Sequence, residues 1–196
     1  NRSYRKFVDS TNRALSAYDS DARFNHPENP VVGVSWEDGR DYCRWVGGRL
    51  PAEAEWLKAG RGKDNRQTPW GWDQFINYNV LDRANINPVV SLKLYDWYGS
   101  RFAADGYRFT APVGSFPKGV SPYGVHDLIG NVWEWVDRRL PHPMLKSRRR
   151  VPPRMKPLKD GSWMSLENYL SLGTRRWRDQ SLRQDSTVGF RCARDP

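Results

Sequence analysis

The chain's only thiols are Cys43 and Cys192. Two cysteines can be buried thiols packing as small hydrophobes or can close a disulfide; composition leaves both open and leans to the thiols. The three histidines, His26, His126 and His142, lack the close spacing of a metal-binding set. No Gly-x-Ser-x-Gly elbow and no glycine loop shaped to cradle phosphate occurs. Neither nucleophilic hydrolysis nor histidine-centred metal chemistry nor nucleotide chemistry is written in these residues.

The strongest charge signal is basic. The segment from Arg138 to Lys159 holds nine Lys or Arg and no Asp or Glu, and so carries nine of the chain's ten net positive charges. A run such as Arg148-Arg149-Arg150 can contact nucleic acid or another anionic surface. The interleaved aromatics of a base-stacking platform are missing from it, so it reads first as a solvated, proline-rich, exposed insertion. Nucleic-acid or anion binding through residues 138–159 is the second class of function.

The elements around these residues are sparse. With 196 residues the chain can bury a real core, and no apolar run is long enough to span a membrane as a helix. It opens on Asn1 without an apolar leader and reads as a trimmed chain. Tyr4, Phe7 and Val8 share a helical face, and Val31–Val34 reads as a short buried strand. Ser35 with Asp38 three residues on predicts a capped helix ending at Gly47-Gly48. Pro51 opens a second helix with Trp56 inward and Gly60 as its stop. After Gly60 the periodicity fades into long loops, which compact domains keep when they are functional or pinned by ions. Val132–Val136 alternates as a strand, and Gly189–Ala193 reads as a closing strand.

Several stretches, in one order over nearly the whole chain, resemble the formylglycine-generating-enzyme (sulfatase-modifying-factor) family. They are Pro30–Trp36, Tyr42–Trp45 running through Gly48–Trp56, Ala111–Pro117, Gly130–Trp135, Asp160–Trp163 and Gly189–Cys192. The resemblance implies one α+β domain over residues 1–196 with a C-type-lectin-like fold. That fold has a small antiparallel sheet, two main helices and extensive irregular loops.

The family's enzymes oxidise a substrate cysteine with a pair of copper-binding cysteines, and soft thiolates suit Cu(I). The matching positions here are Ser165 and Leu170. Neither supplies a thiolate, so the resemblance implies a chain that uses no copper and is no enzyme. It also implies structural Ca²⁺, a hard cation held by loop oxygens. One set would be the Asn85 and Asp105 side chains with the Ile86 and Tyr107 carbonyls; a second would be Asp127 and Glu134 with the Gly130 and Val132 carbonyls. The bland alternative makes Asp105 and Asp127 ordinary turn residues. The family's joined cysteines map onto Cys43 and Cys192, which turns the expectation to a disulfide and to a cell-surface, secreted or virion-associated chain.

The stretch between Trp163 and Gly189 is similar to the variable region of diversity-generating-retroelement proteins, which use this fold and diversify Asn codons at adenines. Ser, Leu, Tyr, Asp, Thr, Gly and Arg arise in that way, whereas Met164, Glu167, Trp177, Gln180 and Gln184 lie outside the set. The resemblance implies a non-catalytic binder of a protein or surface ligand. Its contact residues would be Ser165, Leu166, Asn168, Tyr169, Ser171, Thr174, Trp177, Asp179, Ser181, Leu182 and Asp185. Tyr169 and Trp177 would be rigid anchors, with Ser and Asp supplying adaptable hydrogen bonds. Trp163, Leu170, Leu172 and Val188 read as core.

Overall fold

The structure, a computed structural model, describes residues 1–71, 80–87, 105–137, 151–166 and 171–195. Helix α1 (Arg2–Thr11) buries Tyr4, Phe7 and Val8. Phe7 meets the rings of Tyr42 and Trp45 on helix α2 (Trp36–Trp45). The start of α2 is fixed by the expected capping box: Asp38 N donates to Ser35 Oγ at 3.1 Å, and Ser35 N donates to Asp38 Oδ2 at 2.8 Å. These bonds satisfy two backbone donors that a helix start otherwise leaves open.

Helix α3 (Glu53–Arg61) starts after Ala52, whose N–H is taken by the Glu55 carboxylate at 2.7 Å. Pro51 therefore precedes the helix instead of opening it, and Gly60 lies inside it. The stop is Gly62, at φ 65°. Gly60 answers a different need: a Cβ there would lie 2.5 Å from Leu172 Cδ2, so the missing side chain lets α3 approach the fully buried Leu172.

Four strands form one sheet in the order β3-β2-β1-β4: β1 Trp133–Trp135, β2 Met155–Lys159, β3 Arg175–Asp179 and β4 Val188–Phe190. The β1–β2 and β2–β3 pairs are antiparallel, and β4 is added parallel to β1. Residues directly opposite share a face, so the register sorts the side chains into two layers. Trp133, Trp135, Leu158 and Val188 pack with Trp36, Cys43 and Leu50 on the α2 side. Glu134 and Lys159 point to the other side, where they meet Trp56 and Glu53 of α3. This is the α+β arrangement expected, with short elements and long loops, although the parallel β4 makes the sheet mixed where an antiparallel one was expected.

Two further expectations give way. Val31–Val34 is not a strand: Gly33 sits at φ 67°, which breaks the extended run, although Val32 and Val34 are buried. The basic segment is not an exposed insertion through Lys159. Its last five residues form β2, with Leu158 and Lys159 each only 1% exposed. The charges masked a strand that a central sheet position demands. Residues 138–150 lie outside the described residues.

Candidate functional site

The stretch expected to bind is held by different parts of the fold. Ser165 Oγ accepts the Ser162 N–H at 2.9 Å, and the Ser165 carbonyl accepts Asn87 N–H at 3.0 Å. Met164 and Leu166 on either side are exposed. Asn168, Tyr169 and Leu170 lie outside the described residues. Ser171 Oγ accepts from Gly173 N–H in the turn that leads through Thr174 to β3. Trp177 stands on β3, half-buried, with the Arg175 guanidinium 5.4 Å from its ring centre.

Asp179 ends that strand and accepts both the Ser181 N–H and hydroxyl, which hold its carboxyl below the usual range. Asp185 accepts from the Thr187 N–H and hydroxyl. Trp177, Asp179 and Ser181 are thus brought together on β3 and the turn after it, whereas Ser165 and Leu166 are tied to Asn87. Leu182, expected as a contact, is partly buried, with one side against the Trp36–Trp133 core cluster. Trp163, Leu172 and Val188 are buried, as a core role requires.

The two oxygen-rich sets differ in how much of their capacity is already used. In the first, Asp105 accepts the N–H groups of Ile86 and Tyr107, each at 2.9 Å, and burial pushes its carboxyl up. Asn85 donates its amide to the Phe109 carbonyl at 2.8 Å, but its Oδ1 is buried and accepts from no donor among the described residues. A cavity of about 580 Å³ lies against Asp82, Asp105, Tyr107 and Ser115. An orphaned amide oxygen is the kind of ligand a hard cation takes.

In the second set, Glu134 is taken. Trp56 Nε1 and Arg191 Nε both donate to Oε2 at 2.6 Å, and Arg191 Nη2 donates to Oε1 at 2.6 Å. Asp127 accepts the Gly114 N–H at 2.7 Å, and burial raises its carboxyl. A second cavity of about 410 Å³ is lined by Asp127, Asn131, Glu134 and Arg191. Any cation there would share Glu134 with a guanidinium, so the first set fits Ca²⁺ better. Among the described residues no three His, Cys, Asp or Glu side chains converge as a metal cluster.

One charged group escaped the sequence reading. Lys159, counted there among solvated cations, is buried with its Nζ 5.4 Å from the Trp56 ring centre and 3.6 Å from Glu53 Oε1. Burial lowers its pKa to about 8. Arg175 Nη1 meets the same Glu53 at 2.9 Å. Next to it, Asp160 is buried at φ 71° with Oδ2 accepting Gly130 N–H at 2.7 Å and Oδ1 without a partner among the described residues. Burial pushes this carboxyl well above its ordinary value. The one available signal was the position of Lys159-Asp160, directly against the Gly161-Ser162-Trp163 motif.

Cys43 and Cys192 form a disulfide with Cα atoms 5.4 Å apart, and no free cysteine remains. It ties α2 to the segment after β4, as the resemblance implied.

Comparison with known proteins agrees with this architecture. The model of the sulfatase-modifying factor enzyme 1-like domain matches residues 1–196. The formylglycine-generating enzyme of Bos taurus is 36% identical over 183 residues, covering 87% of this chain and 45% of that protein. The Bos taurus protein named inactive C-alpha-formylglycine-generating enzyme 2 is 35% identical over 176 residues, covering 85% and 50%. The chain spans about half the length of these curated relatives. Among solved structures, Treponema denticola variable protein 1 shares the fold with a TM-score of 0.64 at 19% identity, covering 97% of this chain and 80% of that one. With the α2 capping box, the β1 strand and the cysteine bridge where the motifs put them, the chain belongs to the sulfatase-modifying-factor, or formylglycine-generating-enzyme, family.

Proposed function

We propose that this chain is a non-catalytic member of its family that binds a protein or surface ligand through residues 163–188, in the manner of a diversity-generating-retroelement variable protein. The observation that carries the reading is the fate of sulfur. Ser165 and Leu170 occupy the positions matched to the family's thiol pair, and the chain's two cysteines are both consumed by the Cys43–Cys192 bridge. Without a thiolate, Cu(I) has no soft ligand pair and the substrate cysteine no partner for oxidation. The Treponema variable protein supports the reading only through its shared fold.

The test of a diversified surface is sequencing the gene's 3′ end across many cells of the source population. Substitutions confined to codons between Trp163 and Gly189, at adenines of a nearby template repeat, are expected. An invariant 3′ end without a template repeat or reverse-transcriptase gene nearby would contradict it. A fixed-specificity, catalytically silent domain is the second reading, favoured by the likeness to a relative whose name calls it inactive. In either case a Ca²⁺ at the Asn85–Asp105 set would stabilise the fold, and the disulfide points to an oxidising location.

A further inference from the structure

We propose that the β2–β3 ribbon binds an extended acidic segment of a partner protein through Lys156, Arg176 and Arg178. Register places Lys156 directly opposite Arg178 and Leu158 opposite Arg176, so the three cations share one face of the ribbon. Like charges directly opposite each other destabilise a strand pair. The neighbouring cations are compensated: Arg154 has Asp179 at 3.4 Å, Arg175 has Glu53 at 2.9 Å, and Lys159 has Glu53 at 3.6 Å. Lys156, Arg176 and Arg178 have no carboxylate within ion-pair distance among the described residues. A local rule broken at adjacent positions, with no internal gain, marks a surface that serves something outside the fold.

Two of the three cations are held in place. The Lys156 Nζ lies 4.3 Å from the ring centre of Trp36, and the Arg176 guanidinium lies 4.5 Å from that of Trp133. Trp36 and Trp133 are themselves buried, so the indoles serve as floors for the charges. Cations fixed in this way lose less freedom when an anion arrives. Arg176 and Arg178 are two residues apart on a strand, about 6.7 Å. Carboxylates on alternate residues of an extended peptide repeat at that same spacing. Nucleic acid fits less well, because stacking needs an open aromatic face and both indoles lie beneath their cations.

The inference rests on the reading of the domain as a binder, but its failure would leave the missing thiol chemistry untouched. The test is fluorescence anisotropy of a labelled peptide of alternating glutamate and serine, titrated with the intact chain at low and at physiological salt. Binding that weakens with salt is expected, and Arg178→Glu should weaken it by about tenfold or more. The same substitution should raise the thermal midpoint, since the new carboxylate would face Lys156. Arg178→Gln, which removes the charge without reversing it, should also weaken binding. Absence of peptide binding would overturn the proposal. So would an affinity unchanged in both variants, or tighter binding of a single-stranded oligonucleotide of equal charge.

Discussion

Arg191 closes a two-point ion pair on Glu134, with Nε and Nη2 each 2.6 Å from a different carboxylate oxygen. The same guanidinium donates to the carbonyls of His126 and Asp127. One side chain from beyond β4 thus neutralises a buried carboxylate on β1 and fastens the loop before it. Arg191→Ala should destabilise the chain by about 3–5 kcal/mol, because it strands Glu134 in the interior. Arg191→Lys should recover only part of this, since an ammonium cannot reproduce the fork. Urea unfolding measures both; a loss in Arg191→Ala under about 1 kcal/mol, the scale of an exposed pair, would show that solvent screens it.

Gly60 and Leu172 pack against each other across α3. Ala is normally the better helix residue by about 1 kcal/mol, yet Gly60→Ala should destabilise by about 1–3 kcal/mol because its Cβ meets Leu172. Combining it with Leu172→Ala should give a double mutant less damaged than the sum of the two single changes. Simple additivity in the double-mutant cycle would contradict this contact.

Lys159 makes stability depend on alkaline pH. Its folded pKa is lowered to about 8 from 10.5, so between those values the unfolded chain binds the extra proton. Its contribution therefore becomes more favourable as pH rises through that window, and below about 8 a constant cost remains. Lys159→Met should remove this rise. Urea midpoints of both proteins at about pH 8 and about pH 10 test it; parallel changes in the two would contradict the assignment.

Asn85 Oδ1 is a buried acceptor with no donor among the described residues. Added Ca²⁺ should raise the thermal midpoint, by about 2.7 kcal/mol of stability at one hundred times its dissociation constant. Asn85→Ala should abolish the increase. An equal increase in that variant would place the ion elsewhere.

The sequence made the helices legible because their signals are local. Ser35 and Asp38 cap α2 through their own side chains, and Trp36, Cys43 and Trp56 fall inward at helical spacing. The disulfide and the core role of Trp163 and Val188 were readable through family motifs. What was not legible is long-range. Arg175-Arg176-Trp177-Arg178-Asp179 has no apolar alternation, and it is a strand because β2 supplies its partner. Lys159 looked solvated until Glu53 and Trp56, distant in sequence, were seen to enclose it. The Lys156–Arg178 opposition exists only once the register is known.

A copper-loaded oxidation assay tests most directly whether the chain is catalytically silent. The purified chain would be incubated with Cu(I), oxygen and a cysteine peptide of the kind its active relatives convert, with products followed by mass spectrometry. No formylglycine above the protein-free copper control is expected, because both cysteines lie in the Cys43–Cys192 bridge. Formylglycine that grows with enzyme concentration would contradict the claim and return the chain to the catalytic side of its family.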